Sequence, residues 1–283
     1  MTVIFYKYSS AEGAIKILEG MRLKISPPNE FNDPFELTPR SKFTITPEHM
    51  IKVARTDPEH YRPVFEDMVR NEGYPHSFER FVKDLEVEIP RKFSAFKKLY
   101  RVAQIQSDLA STNEASKHAG IFCVSKIRDS IPMWSYYAGQ HSGAVFGLDI
   151  ASTSFPQTGE FDRVKYQTHR CPYDALLKAE TPEWLAQIRR TIFAKSKCWA
   201  HEREHRRVCL LKDLIRIVDE NEKVSYFIDI WGKEIQEVIL GCRIAKQDEQ
   251  LIRALLNKRK FAHVRLFRCE RHKTKFQLDL IPA

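Results

Sequence analysis

The chain has 283 residues, with 46 Lys and Arg against 37 Asp and Glu, a formal net charge of +9. Hydrophobic residues at 43% and charged residues at 29% are the balance of a globular protein. They exclude a disordered chain, which could not bury enough apolar surface to offset its conformational entropy. No apolar run is long enough to span a membrane as a helix, and Met1–Lys7 lacks the basic-then-apolar order of a signal peptide. Six cysteines stand singly, at Cys123, Cys171, Cys198, Cys209, Cys242 and Cys269. That spacing predicts free thiols, a cytoplasmic setting and no metal held by cysteine.

The first predicted element is a strand over Val3–Tyr8, rich in β-branched and aromatic residues. Ser9 or Ser10 then caps a short helix that carries Ala14, Ile15 and Leu18 at helical spacing and ends near Gly20. A second strand, Leu23–Ser26, runs into the loop Pro27–Pro34, whose prolines and short polar residues forbid a helix. Residues 46–118 change character. Thr46-Pro47-Glu48 is a helix start, and four helical stretches are expected between breaks at Asp57-Pro58, Gly73 with Pro75, and Pro90. This reads as a helical insertion within a single domain spanning 1–283.

Strands resume at Ile121–Ser125 and Gly143–Ile150, separated by a helix around Met133–Ala138. Thr181-Pro182-Glu183 opens another helix with Trp184, Leu185, Ile188 and Ile192 along one face. Strand patterns follow at Arg206–Leu211, Val224–Ile230, Glu237–Ile244, Val264–Cys269 and Lys275–Leu280, interrupted by a helix over Gln247–Asn257. The fold class is α+β with mixed or antiparallel sheets and a helical insertion.

The phosphate-cradling glycine motifs are missing: Gly139, Gly143 and Gly147 recur every four residues but form neither a dinucleotide fingerprint nor a P-loop. His201-Glu202-Arg203-Glu204-His205 literally fits the zinc-protease pattern, which needs both histidines on one helical face. Flanking arginines and the lack of a third ligand at close spacing weigh against it, and no metal site is expected. Read as a strand, the same segment puts Glu202, Glu204 and Arg206 on one face, leading into apolar Val208 and Leu210. Carboxylates so placed stabilise cationic charge developing on a sugar ring, although a surface ladder of ion pairs has the same pattern. Possible partners lie in Tyr6-Lys7-Tyr8, in the loop Asn29–Phe35 with Asn32 and Asp33, and in Ile131–Tyr137, which carries Trp134 and Tyr137 just after a strand ending in Ser125. Aromatic faces stack on planar ligands, or else these rings are core residues of an amphipathic helix. Residues 195–275 hold 20 Lys and Arg against 12 Asp and Glu. That surplus suits nucleic acid or another polyanion, and equally a solvated surface.

Four stretches resemble the bacterial family called domain of unknown function 2971. They are Tyr6–Ser9 through Leu23–Glu36; Phe122–Ser125 with Met133–Ala138, His141–Gly143 and Gly147–Asp149; Lys197–Arg206; and Val238–Gly241. The family comes with no settled activity. The element order also resembles the ADP-ribosyltransferase fold. That resemblance implies NAD as substrate, Ser125 as the supporting serine, and Glu202-Arg203-Glu204 as the Glu-x-Glu of the arginine-modifying branch. Glu204 would then bond the nicotinamide ribose and Glu202 orient the acceptor. Tyr6, Lys7, Tyr8, Asn32, Asp33, Ser125, Trp134, Tyr137 and Arg206 would form the NAD site, with Lys7 or Arg206 at the pyrophosphate. Lys7 between tyrosines stands where those enzymes carry arginine or histidine. The expected activity is ADP-ribosyl transfer or NAD glycohydrolysis, with a nucleic-acid or protein acceptor, of a kind that would suit bacterial defence or toxicity. The alternative is a non-catalytic protein that binds nucleotide or nucleic acid.

Overall fold

The structure is a computed structural model that describes residues 3–41, 46–150, 161–174 and 181–283. In chain order the strands are β1 (Ile4–Ser9), β2 (Arg22–Ile25), β3 (Arg40–Ser41), β4 (Ala119–Ser125), β5 (Ala144–Asp149), β6 (Asp162–Arg163), β7 (Lys165–Gln167) and β8 (Pro172–Tyr173). They continue with β9 (Ala194–Ser196), β10 (Glu204–Leu210), β11 (Ile215–Val218), β12 (Val224–Asp229), β13 (Ile235–Leu240), β14 (Arg265–Arg271) and β15 (Leu278–Pro282). The α-helices are α1 (Ala11–Gly20), α2 (Pro47–Thr56), α3 (Arg62–Glu72), α4 (Phe78–His118), α5 (Ile131–Tyr137), α6 (Pro182–Ile192) and α7 (Lys246–Leu256).

The chain divides into two compact units, one of Met1–Thr38, Ser111–Cys171 and Leu185–Ala283, the other of Pro39–Ala110 and Pro172–Trp184. Residues 46–110 of the segment read as an insertion fall in the second unit, and 111–118 in the first. In the second unit β3 and β8 pair in parallel, and Phe65, Tyr74, Phe78 and Phe81 make a cluster of ring contacts. Pro90, expected to break the helix, instead lies inside α4. It sits on an exposed face, where water can satisfy the carbonyl that its missing N–H leaves free.

The first unit is α+β. Its main sheet has the order β15-β14-β13-β5-β1-β4-β10-β6, antiparallel throughout except for the parallel pair β13 and β14. A smaller sheet orders β11-β12-β2. Ser10 caps α1 as expected, its hydroxyl accepting from the Gly13 N–H at 3.1 Å. α1 and α7 pack on each other and put Ala14, Leu18, Ile252 and Leu255 into one core with Phe122, Phe146 and Leu148. A second core gathers Tyr8, Met133, Trp134, Val145 and Ile239 around α5. Alternate residues of β5 thus serve the two cores, so the whole strand reads as apolar.

The recurring glycines serve chain packing. Gly139 takes a left-handed φ of +55°, and a Cβ on Gly143 would lie 2.0 Å from the Ser9 carbonyl oxygen. Among the described residues no helix is long and apolar enough to cross a membrane, and all six cysteines are free thiols.

Candidate active site

The main sheet is split at its centre. β1 pairs with β5 along its whole length, from Ile4↔Asp149 to Ser9↔Ala144. With β4 it shares the single pair Tyr6↔Ser125. Beyond that pair the two strands make no further ladder, and the Lys7 ammonium bridges the gap by donating to the Cys123 carbonyl at 3.1 Å. Next to β4, β10 continues the row with Glu204↔Ser125. Tyr6, Ser125 and Glu204 therefore stand abreast on three neighbouring strands.

A cleft of about 330 Å³ opens at this split. Tyr6, Lys7, Tyr8, Asn32, Ser125, Tyr137, Glu202 and Glu204, all named from the sequence, line it together with Phe31, Tyr136 and Lys195. Its walls are largely aromatic, with Tyr136 exposed, and its floor is charged.

The floor is a buried ion cluster. Lys195, on the short β9, donates to Glu202 Oε2 at 2.6 Å and Glu204 Oε2 at 3.1 Å, and pairs with Glu36 at 3.4 Å. Arg206 lays its fork on Glu204, Nε to Oε1 and Nη2 to Oε2 at 2.9 Å each. It also meets Glu36 and donates from Nη1 to the Ile192 carbonyl at 2.6 Å. Glu36, Glu202, Glu204, Lys195 and Arg206 are all buried, as is Asp33 close by. The three carboxyl groups Glu36, Glu202 and Glu204 outnumber the two cations of this cluster beside the cleft.

Burial pushes the Glu204 carboxyl above its ordinary range, against the pull of Lys195 and the Cys123 thiol. Burial alone would lower the Lys195 ammonium, but Glu204, Glu202 and Tyr137 together outweigh it and hold it above its usual value. Burial also pulls Lys7 down, opposed by Cys123 and Glu204. Arg206 is pulled down to about 9 by burial, opposed by Asp33, which leaves the guanidinium charged at neutral pH.

Local geometry explains how both carboxylates reach one lysine. Glu202 does not extend the strand; it ends a 3-10 turn over Lys197–Glu202, and Arg203 makes the joint with a left-handed φ of 45°. The strand alternation expected from Glu202 onward begins instead at Glu204, with Glu204 and Arg206 on the buried side. Because 197–202 is not α-helical and 204–210 is a strand, His201 and His205 share no helical face, and the zinc-protease geometry does not form. No group of His, Cys, Asp and Glu among the described residues is arranged to hold a metal.

Ser125 holds the turn in place: its hydroxyl donates to the Glu202 carbonyl at 2.6 Å and accepts from the Ile127 N–H at 2.9 Å. Ser125→Ala would take this donor from the buried Glu202 carbonyl and this acceptor from the part-buried Ile127 N–H, and a loss of about 1–3 kcal/mol in urea unfolding is expected. The Tyr137 hydroxyl donates to Glu202 Oε1 at 2.7 Å.

Three residues named from the sequence are not brought to the cleft. Arg206 has no exposed surface and is consumed by Glu204 and Glu36, so it cannot meet a ligand phosphate. Trp134 is a core ring, edge-on to Tyr8, with its indole N–H on the Arg128 carbonyl at 3.0 Å. Asp33 accepts from the Trp199 indole at 2.8 Å and the Phe35 N–H at 2.9 Å. Sequence reasoning missed Lys195 and Glu36. Lys195 sits in no motif, Glu36 only closes the stretch Leu23–Glu36, and the burial of both follows from contacts made across the fold.

Neither family models, nor curated proteins, nor solved structures give a match to this chain.

Proposed function

We propose that this cleft breaks the bond between nicotinamide and ribose in NAD and passes ADP-ribose to water or to a macromolecular acceptor. The observation that carries the reading is the pair Glu202 and Glu204, held by one buried lysine on the floor of an aromatic cleft at a split in the sheet. The transition state of such a cleavage has oxocarbenium character, and preorganised negative charge beside the ribose stabilises it. The excess of carboxylates in the cluster supplies that charge. The row Tyr6, Ser125, Glu204 on neighbouring strands agrees with the ADP-ribosyltransferase resemblance of the sequence. In the reaction the C–N bond to nicotinamide breaks, ribose C1′ bonds to the acceptor atom, and the acceptor loses its proton.

Tyr136 and Tyr137 would stack on the nicotinamide, and Lys7, at the opening between the strands, would meet the pyrophosphate. Glu202 Oε1 already accepts from a phenol hydroxyl, so a ribose hydroxyl can take that place. Glu204 is the more constrained carboxylate because Arg206 covers both its oxygens. That coverage favours a second reading, a non-catalytic nucleotide pocket in which the carboxylates only shape the floor.

Nicotinamide release from NAD, measured in a bacterial lysate that supplies acceptors, separates the two. Wild-type protein should release it, and Glu202→Gln and Glu204→Gln should each lower the rate by about 100-fold or more, the size of effect expected when a preorganised electrostatic group is lost. NAD binding without release by the wild type would establish the second reading instead.

A further inference from the structure

Away from the cleft, β14 and β15 form a hairpin whose connection, Arg271–Gln277, reads Arg-His-Lys-Thr-Lys-Phe-Gln. Residues 258–275 hold eight Lys and Arg against one Glu. Arg265 and Arg268 of this group are spent on Glu237 and Glu249. Arg271, Lys273 and Lys275 are exposed and, among the described residues, in no ion pair, and the same holds for Arg243 on the neighbouring loop. These four cations line one cavity of about 430 Å³. At its rim stands Phe276, fully exposed at 104%. The open phenyl face of Phe276 and the four like charges around one cavity are together complementary to a polyanion that carries flat rings.

The tip is braced by its own hydrogen bonds. His272 Nδ1 accepts from the N–H groups of Thr274 and Lys275 at 3.1 Å each, and the His272 N–H donates to the Gln277 carbonyl at 3.0 Å. These bonds fix the backbone from which the cations and the ring project, so less chain entropy is lost on binding.

We infer that this hairpin and the cavity beside it form a docking surface for single-stranded nucleic acid, with Arg243, Arg271, Lys273 and Lys275 on phosphates and Phe276 stacked on an unpaired base. Phosphate contacts give affinity without sequence choice, and a stacked ring selects single strands because a duplex keeps its base faces covered. This surface shares no residue with the cleft, so it stands whether or not NAD is cleaved there.

The test is fluorescence anisotropy of labelled twelve-nucleotide oligo-dT and oligo-U with the full-length protein, in 50 to 200 mM salt. Four phosphate contacts to a single strand predict a log–log salt slope of about −3, or roughly 50-fold weaker binding across that range. Lys273→Ala combined with Lys275→Ala should bring the slope to about −1.4. Phe276→Ala should weaken binding about tenfold without changing the slope. Glu204→Gln should bind the oligonucleotides as the wild type does. The inference is overturned by any of three outcomes: no saturable binding at 50 mM salt, equal binding of a duplex of the same length with Phe276→Ala silent, or capture of the protein by anionic phospholipid vesicles but not by the oligonucleotides.

Discussion

Lys195→Met is expected to lower folding stability by about 3–5 kcal/mol, the usual consequence of removing one partner from a buried ion cluster. The lysine is the one donor shared by Glu36, Glu202 and Glu204, and all four side chains are nearly inaccessible to water. Without it the carboxylates face one another with Arg206 as the cation that still pairs with them, besides the Tyr137 hydroxyl on Glu202. The loss should be larger at pH 8 than at pH 5. Burial already holds the Glu204 carboxyl above its ordinary value of 4.5, and removing the neighbouring cation raises it further. A carboxyl with a raised folded pKa contributes stability below its unfolded pKa and loses that contribution as pH rises through the folded one. The folded variant therefore holds its proton to higher pH than the unfolded chain does, and the penalty grows as pH rises. Urea unfolding of wild type and variant at the two pH values measures this. Glu204→Gln placed on Lys195→Met should recover part of the loss at pH 8, because it deletes the charge that has lost its partner. A penalty equal at both pH values, with no recovery, would mean that Lys195 acts by packing.

The sequence makes the strands and helices around this cluster legible, and the cluster itself only in part. β1, β4, β5, β10, β12 and β13 follow from period-two or continuous apolar patterns, because a strand's burial is written in its own residues. Glu202, Glu204, Tyr137 and Ser125 were legible as a group of polar side chains next to apolar strands. Glu36 was not, since what buries it is Arg206, far along the chain. Lys195 was not, since a three-residue strand has no period to read. Trp134 shows the converse. Its neighbours in sequence suggested a ligand-facing ring, but the face of α5 that carries Met133 and Trp134 is the one turned to the core. Pro90 is a similar case: a proline stops a helix only where its missing hydrogen bond cannot be replaced, and on an exposed face it can. The split between β1 and β4, which makes the cleft, is a failure of pairing between strands distant in sequence, and no local pattern encodes it.

Arg206 supplies the sharper test of how the cluster is built, because charge and shape can be separated there. The guanidinium makes two parallel bonds to Glu204, one to the Ile192 carbonyl, and a contact to Glu36, with the Phe31 ring 5.5 Å away. An ammonium carries the same charge but only as a point, and it cannot reach all four acceptors. Arg206→Lys should lose about 2–3 kcal/mol, roughly the strength of one or two charge-assisted bonds left unmade. Arg206→Met removes the charge too, and should lose about 3–5 kcal/mol. Urea unfolding at pH 7 orders them, wild type above Lys above Met. Equal losses for Lys and Met would make the fork geometry the whole contribution, while a Lys variant as stable as wild type would make it charge alone. In the Met variant Glu204 also has both oxygens freed toward Lys195 and the cleft. If NAD cleavage is limited by Arg206 covering that carboxylate, nicotinamide release per folded molecule should rise in Arg206→Met. If Arg206 instead holds Glu204 in its working position, release should fall with the loss of the fork, in Lys and Met variants alike.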